Sequence, residues 1–386
     1  MAVLPTLQTV MTIVLAAMVV IGIGYQVAVA LTIPQFFAAP AARAVEPVPV
    51  SLLKPLHGAE PRLAPNLASF LRQDYAAPVQ MACGVNEPSD EAVGAVEALV
   101  AAHPQADVAL STGPRWPGAN AKIGNLRAAL PLAQHDTLIL SDSDIVVAPN
   151  YLSRITAALA EPGVGAVSCL YVGRGDAGFW SVLGAAMTSF QSTPNMVFAV
   201  HYGLERPCMG STIALHRETL DAIGGFARFA DVLADDYAIG AAVAELGQRV
   251  AIPPMLLTHA GAERSAAELW RHFLRWAVTI RDLNPAGHYG SIVTQPLPLA
   301  LLLMPFAPLP GLMLAALALP ARLLVALAIR GGAGTPCAPL WCLPLGDIFG
   351  FGVFCVSLMA RRIDWRGQAL TMAADGRITA PNMDNT

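Results

Sequence analysis

The sequence predicts an α/β domain on a mostly parallel sheet, held between transmembrane helices at the two ends of the chain. Three observations carry that expectation. No charged side chain precedes Arg43, and the apolar run from Val10 to Ile33 makes roughly 36 Å of helix, enough to cross a bilayer. A second apolar block, interrupted by prolines, begins near Pro296 and runs to Ala360. Between the two, short β-favouring runs alternate with helical stretches, the pattern of right-handed βαβ units.

The first segment has neither the basic start nor the short apolar core of a cleaved signal, so it reads as a retained anchor over residues 1–42. Strands are expected at VPVSLLKPL (48–56), VQMACGV (79–85), DVALST (107–112), TLILSD (137–142), VGAVSCLYV (164–172) and STIAL (211–215). Helices are expected at 63–73, 90–103, 121–133 and 151–161. They belong to a domain spanning 46–264, which is long enough for a sizeable core. Residues 265–290 read as an amphipathic helix: Glu268, Arg271, Arg275 and Thr279 recur along one side, with Leu269, Trp270, Phe273, Ala277 and Ile280 on another. Such a basic helix with tryptophans suits a membrane interface; the plain alternative is packing on the domain core.

The C-terminal block, 295–362, holds prolines at 296, 298, 305, 308, 310 and 320, so its first half reads either as one span with a broken lead-in or as two short passes. Cys337 to Ala360 reads as a further span, and 363–386 as a tail. Arg43 and Lys54 after the first span, and Arg361 and Arg362 after the last, place those flanks in the cytoplasm. The expected location is the inner (cytoplasmic) membrane, multi-pass, with two C-terminal crossings and the catalytic domain facing the cytoplasm. Net charge is −4, and no feature calls for nucleic acid. Six scattered cysteines form no CxxC pair and no metal spacing with histidine, against a disulfide framework or zinc. The isolated histidines 57, 103, 135, 201 and 259 read as surface or satisfied core residues, and Cys208 and Met209 as packing. His288 and Tyr289, just past the amphipathic helix, are acceptor-contact candidates.

The chemistry concentrates at TLILSDSDIV. Asp142 and Asp144 stand at the carboxyl end of an expected strand, where α/β sheets bind ligands. Residues i and i+2 of a strand share a face, and two bare carboxylates so close repel unless a cation or a proton intervenes. Mg²⁺ or Mn²⁺ with a phosphate-bearing ligand is the natural occupant. The bland alternative makes one a helix cap and leaves the other solvated. DSDIV also fits the haloacid-dehalogenase phosphatase string, but that motif sits on a first strand with a downstream lysine. The two lysines here, Lys54 and Lys122, both lie upstream.

Sugar transfer from a nucleotide diphosphate donor needs further parts, and candidates follow in order. Asp90 in GVNEPSDEA suits a nucleotide edge, and Lys122 and Asn125 open a helix near the phosphates. Asp235 and Asp236 begin another helix, where one carboxylate would serve as general base. His272, Arg275 and Trp276 lie on the amphipathic helix.

SLLKPLHG, the Asp90 loop, AKIGNL, SDSD, CMGSTIALHRETLDAIGGF, LADDYAIGAAVAELG and HFLRW stand in the family order of the glycosyltransferases of family 21, which the chain resembles from about Ser51 to Asn284. The family includes ceramide glucosyltransferase and the bacterial hopanoid-biosynthesis glycosyltransferases. The resemblance implies a GT-A nucleotide-sugar fold and an inverting transfer from a UDP-sugar to a membrane lipid. It implies that Asp90 contacts the nucleotide, Asp142 and Asp144 the metal–pyrophosphate, and that Asp236, rather than Asp235, is the base. Arg275 and Trp276 match the (Q/R)xxRW signature; its first position is His272 here, a departure that leaves that residue's role open. The branch resembled most is the hopanoid one, which implies N-acetylglucosamine and bacteriohopanetetrol. Ceramide with UDP-glucose is the runner-up, followed by a polysaccharide synthase, a phosphatase and a non-catalytic membrane binding protein.

Overall fold

An unbroken apolar run makes the first element, α1 (Val3–Phe37), a single long helix. The computed structural model describes residues 3–360 together with the strands 363–365, 368–372 and 378–379. Arg361 and Arg362, used above for orientation, lie outside the described residues.

The chain then alternates: β1 (Val50–Pro55), α2 (Leu63–Leu71), β2 (Val79–Gly84), α3 (Ala92–Ala102), β3 (Asp107–Ser111), α4 (Ala121–Ala129) and β4 (Thr137–Leu140). β1 and β4 are fully buried, because helices cover both faces of the sheet. After the acidic turn come β5 (Ile145–Val146), α5 (Tyr151–Leu159), β6 (Val164–Ser168) and β7 (Leu170–Gly175). Next are α6 (Phe179–Met187), a π-helical turn at Thr188–Ser192, α7 (Thr193–His201), β8 (Ile213–His216), α8 (Arg217–Ala222), α9 (Asp235–Glu245), β9 (Arg249–Ala251) and β10 (Leu256–Gly261).

The main sheet has seven strands in the order β3-β2-β1-β4-β8-β6-β9. Its first four are parallel, while β8 runs antiparallel to both β4 and β6. A smaller sheet, β5-β10-β7, stands beside it. The expected single strand 164–172 is therefore two: β6 joins the large sheet and β7 the small one. The division falls after Ser168, whose hydroxyl accepts from Met209 N at 2.8 Å.

The C-terminal part comprises α10 (Ala266–Leu283), α11 (Pro285–Gly290), α12 (Pro296–Leu303), α13 (Pro308–Ala333) and α14 (Cys342–Ser357). Ser265 caps α10 by accepting from Glu268 N at 3.2 Å, while Glu268 accepts from Arg264 N at 2.7 Å. Two helices, α1 and α13, are long and apolar enough to cross a membrane. They pack together through Val29, Ile33 and Phe36 against Val325, Ile329 and Ala333. In the proline-rich block the short α12 precedes one long apolar helix, α13. The expected last span is shorter than anticipated: α14 has 16 residues, about 24 Å, below the hydrocarbon thickness of a bilayer. The expected tail carries β11 (Ile363–Trp365), β12 (Gln368–Met372) and β13 (Ile378–Thr379), paired antiparallel.

Helix α10 buries Leu269, Phe273 and Val278, and Trp270 meets Phe349 of α14 edge-on at 5.4 Å. Its expected apolar side is thus covered by protein, except for Ile280, which stays half exposed. Lys54 is no flanking surface charge. It is fully buried in β1, with Nζ donating to Ser141 Oγ at 3.0 Å and to the Asp142 carbonyl at 3.1 Å. Burial pulls its ammonium down to about 7 against the pull of Asp142.

Candidate active site

The carboxyl end of β4 delivers Asp142 and Asp144 into a cavity of about 1240 Å³ that also receives Lys122, Asn125, Asp235 and Asp236. Two backbone bonds fix the acidic turn: Asp142 N donates to Gly210 O at 3.1 Å, and Ala260 N of β10 donates to Asp144 O at 2.8 Å. Asn120 caps α4 by accepting from Ile123 N at 3.2 Å, which puts Lys122 in the first turn. Its Nδ2 also donates to Asp235 at 3.1 Å, joining the starts of α4 and α9.

Lys122 Nζ lies 2.8 Å from Asp142 and 3.3 Å from Asp235. Burial alone would lower the lysine, but Asp142, Asp235 and Asp236 outweigh it and hold it well above its usual value. Asp142 is pushed up by burial and by Asp144, beyond what Lys122 restores. Asp236 is raised too, by burial and by Asp235, although Gly210 N at 2.9 Å and Tyr237 N at 2.8 Å donate to it. Asp235 is engaged by both Lys122 and Asn120, while Asp236 accepts from two backbone N–H groups.

Asp144 meets a residue that spacing had dismissed. Register pairs His259 of β10 with Ile145, and His259 Nε2 stands 3.1 Å from Asp144 Oδ2. Burial pulls the imidazole down, but Asp144 more than offsets it and leaves His259 at about 9. Asp144 itself is held below its ordinary value, His259 outweighing burial. Its other oxygen, Oδ1, is buried with no hydrogen-bond partner among the described residues. Among those residues, no three His, Cys, Asp or Glu side chains form a ready metal cage. Mg²⁺ does not require one, since it takes one or two carboxylates and leaves its other positions to phosphate and water. An orphaned carboxylate oxygen beside a second carboxylate and an imidazole fits that cation.

His272, the altered signature position, pairs through Nδ1 with Glu263 and meets Trp276 edge-on at 4.4 Å. Burial, more than Glu263 offsets, holds its imidazole below the usual value. Trp276 also faces His259 at 6.2 Å, and Arg275 lines the same cavity. Of the polar side of α10, Arg271, Arg275 and Thr279 line the cavity, and Arg271 is also exposed.

Asp90 is placed differently from Asp142, Asp144 and Asp236. Its carboxylate accepts from Gly58 N at 2.7 Å and Ala92 N at 2.9 Å and pairs with His57 Nδ1 at 2.9 Å. These bonds outweigh burial and hold it below the usual range. His57 lines the cavity and Asp90 does not. Asn125 is buried, donating to Leu56 O at 2.7 Å. His288 reaches the cavity wall, with Nε2 2.9 Å from Ser357 Oγ, whereas Tyr289 is half exposed outside it.

The model of glycosyl transferase family 21 matches residues 13–378, nearly the whole chain. The chain belongs to glycosyltransferase family 21. That membership agrees with the expected GT-A-like fold, a mostly parallel sheet covered by helices. Ceramide glucosyltransferase 1 of Caenorhabditis elegans is 27% identical over 229 residues, covering 58% of this chain and 48% of that protein. The ceramide glucosyltransferase of Komagataella phaffii is 31% identical over 114 residues, 28% of this chain and 22% of that one. The family 21 chain thus spans about half the length, or less, of these curated relatives. Among solved structures, a mannosyltransferase from Pyrobaculum calidifontis in complex with GDP-Man and Mn²⁺ aligns with TM-score 0.48 and 21% identity, over 89% of this chain and 99% of that one. A glucosyl-3-phosphoglycerate synthase from Mycobacterium tuberculosis aligns with TM-score 0.39 and 17% identity, over 64% and 82%.

Proposed function

We propose that this family 21 enzyme moves a sugar, N-acetylglucosamine, from a UDP donor to a lipid hydroxyl such as that of bacteriohopanetetrol. The observation that carries this is the single cavity. Asp142, Asp144, Lys122 and Asp236 line it together with α10 and residues of the helices α1, α13 and α14. A site shared between a strand-end acid cluster and apolar helices suits a water-soluble donor and an acceptor that keeps its tail in the bilayer. Domain 46–264 and the turn-back helices 265–290 build the donor side, and the anchor 1–42 with 295–362 builds the lipid side.

Asp142 and Asp144, with His259 once it has given up its proton, would hold Mg²⁺ or Mn²⁺. When bound, the cation neutralises charge that grows on the departing diphosphate. Lys122 supplies a second positive charge to the same oxygens. Asp90, through His57, steadies the β1 loop against the nucleotide edge. Asp236 accepts the proton of the lipid hydroxyl as its oxygen bonds to the anomeric carbon and UDP leaves from the opposite face, inverting the centre. Its raised proton affinity suits a general base, and Asp235 is left to hold Lys122. Arg275, Trp276 and His272 border the acceptor. Arg43, exposed after α1, supports a cytoplasmic active site on the inner membrane.

The ceramide reading keeps a specific support, the similarity to ceramide glucosyltransferases over 229 residues. Chain reconstituted in nanodiscs with Mn²⁺, offered UDP-N-acetylglucosamine or UDP-glucose with the tetrol or ceramide, decides by product mass. A hexosamine on the polyol is expected. A hexose on ceramide transfers the assignment to that branch, and no glycolipid from any pairing overturns it.

A further inference from the structure

The catalytic cavity does not end at α10. Its far wall includes Gln26 of α1, Gln191 of the π-helical turn, Arg322 of α13 and Asp347 of α14. Arg322 and Asp347 are 4% and 5% exposed, and both stand on strongly apolar helices. Arg322 Nε donates to Asp347 Oδ2 at 2.9 Å and Nη2 to Oδ1 at 2.7 Å. Nη1 donates to Phe190 O at 2.8 Å and to Gln26 Oε1 at 3.3 Å. Gln191 Nε2 completes the group, donating to Asp347 Oδ1 at 2.8 Å.

A charged pair is expensive among membrane helices, and apolar side chains of similar size often hold helices together equally well. A pair that served only as a staple would be sealed in a helix interface; this one fronts an open cavity. Its hydrogen-bonding capacity is also incomplete. Asp347 Oδ2 receives only Arg322 Nε, and Gln191 Oε1 receives no hydrogen bond among the described residues. The backbone makes room for that oxygen in two ways. The five-residue π-helical turn Thr188–Ser192, an irregularity frequent at functional sites, carries Gln191. Gly350, on the facing helix, would place a Cβ 2.6 Å from Gln191 Oε1, so a side chain there would close the gap.

We propose that Gln191, Arg322 and Asp347 form the acceptor-selecting end of the cavity, binding hydroxyl or amide N–H donors that an acceptor lipid carries beside its reacting hydroxyl. This rests on the lipid-acceptor reading above and adds to it the chemical class of acceptor: a lipid with several hydrogen-bond donors at its head, not a simple long-chain alcohol. A polyol lipid and a hydroxy-amide lipid share that chemistry. Gln191 and Asp347 offer acceptor oxygens, while Arg322 orients the aspartate and fixes its charge.

The test uses the full chain in nanodiscs with Mn²⁺ and UDP-sugar, measuring kcat and KM for a polyol lipid, a ceramide and a monohydric alcohol of equal length. Wild type should favour one of the two multi-donor lipids over the monohydric alcohol by more than about 10-fold in kcat/KM, and which of the two shows the source. Gln191→Leu should raise the KM of that acceptor about 10-fold, leave the donor KM within about twofold, and reduce the preference. Asp347→Asn, which keeps the shape, should do the same, and an unchanged donor KM shows that the cavity has formed. Equal use of the monohydric alcohol by wild type, or variants with an unchanged acceptor preference, overturns the proposal while leaving the transferase reading intact. Failure to glycosylate any lipid overturns the transferase reading itself.

Discussion

Gly210 connects Asp142 to Asp236, and replacing it by alanine separates their geometry from the stability of the fold. Its carbonyl accepts from Asp142 N and its N–H donates to Asp236 at 2.9 Å. A Cβ built there would lie 2.5 Å from Lys122 Nζ and 2.7 Å from Asp142 Oδ2. Both atoms are side-chain ends, so the fold can yield by moving them. If Nζ retreats about 1 Å from its 2.8 Å contact with Asp142, the pair weakens by roughly 1.5 kcal/mol at an effective dielectric near 20, about tenfold. Misplacement of that size around a reacting centre costs up to about 10²-fold. Gly210→Ala should therefore lower kcat by about 10- to 100-fold while lowering stability by no more than about 3 kcal/mol. Initial rates of UDP release, with thermal unfolding as the control, check it. Wild-type turnover would refute the placement of Lys122 and Asp142 in the chemistry, and a chain that fails to fold would refute the claim that the clash is local.

Asp236→Asn should cut turnover by about 10²–10⁴-fold and leave UDP-sugar affinity largely intact, measured by calorimetry beside initial rates. Asp144→Ala should abolish the dependence of UDP-sugar binding on Mn²⁺; an unchanged metal titration would count against the pyrophosphate role. His259→Ala should weaken Mn²⁺ itself by about tenfold or more, read by manganese electron spin resonance without substrate. Asp90→Ala loses three hydrogen-bond partners at once and should reduce both donor affinity and thermal stability, by about 1–3 kcal/mol for the latter.

The parts of the site that were legible in the sequence are those where charge interrupts apolar patterning. Asp142 and Asp144 stand out because β4 is otherwise a buried apolar strand, and Asp235 with Asp236 because they open a helix. His259 was missed because LLTHAG gives no ligand spacing. Its meaning comes only from the antiparallel register that sets it opposite Ile145. Asn120 was missed for a related reason, since its second bond reaches Asp235, more than a hundred residues away. Asp90 is the converse case. A carboxylate at a strand end reads as a ligand contact, yet backbone N–H groups and His57 already occupy it. The split between β6 and β7 was invisible because VGAVSCLYV is uniformly apolar, and only a tertiary bond from Ser168 marks where one sheet gives way to the other.

Charge balance explains why these pieces belong together. Four carboxylates, at 142, 144, 235 and 236, face Lys122 and a His259 that holds its proton to about 9. Counted with the acids ionised and His259 protonated, these six side chains alone sum to −2, a local excess of negative charge that favours a cation. Without a cation, Lys122 and His259 each settle on one of the D-x-D carboxylates, at 2.8 and 3.1 Å. A cation arriving with the donor would relieve both, turning Lys122 toward the phosphates and displacing the His259 proton so that the neutral imidazole can face the metal. The arrangement therefore predicts that metal and UDP bind cooperatively. Mn²⁺ alone should raise the melting temperature only slightly, UDP alone likewise, and both together by more than the sum. Strictly additive shifts would mean that the two basic side chains are fixed partners of the aspartates and do not take part in binding the donor.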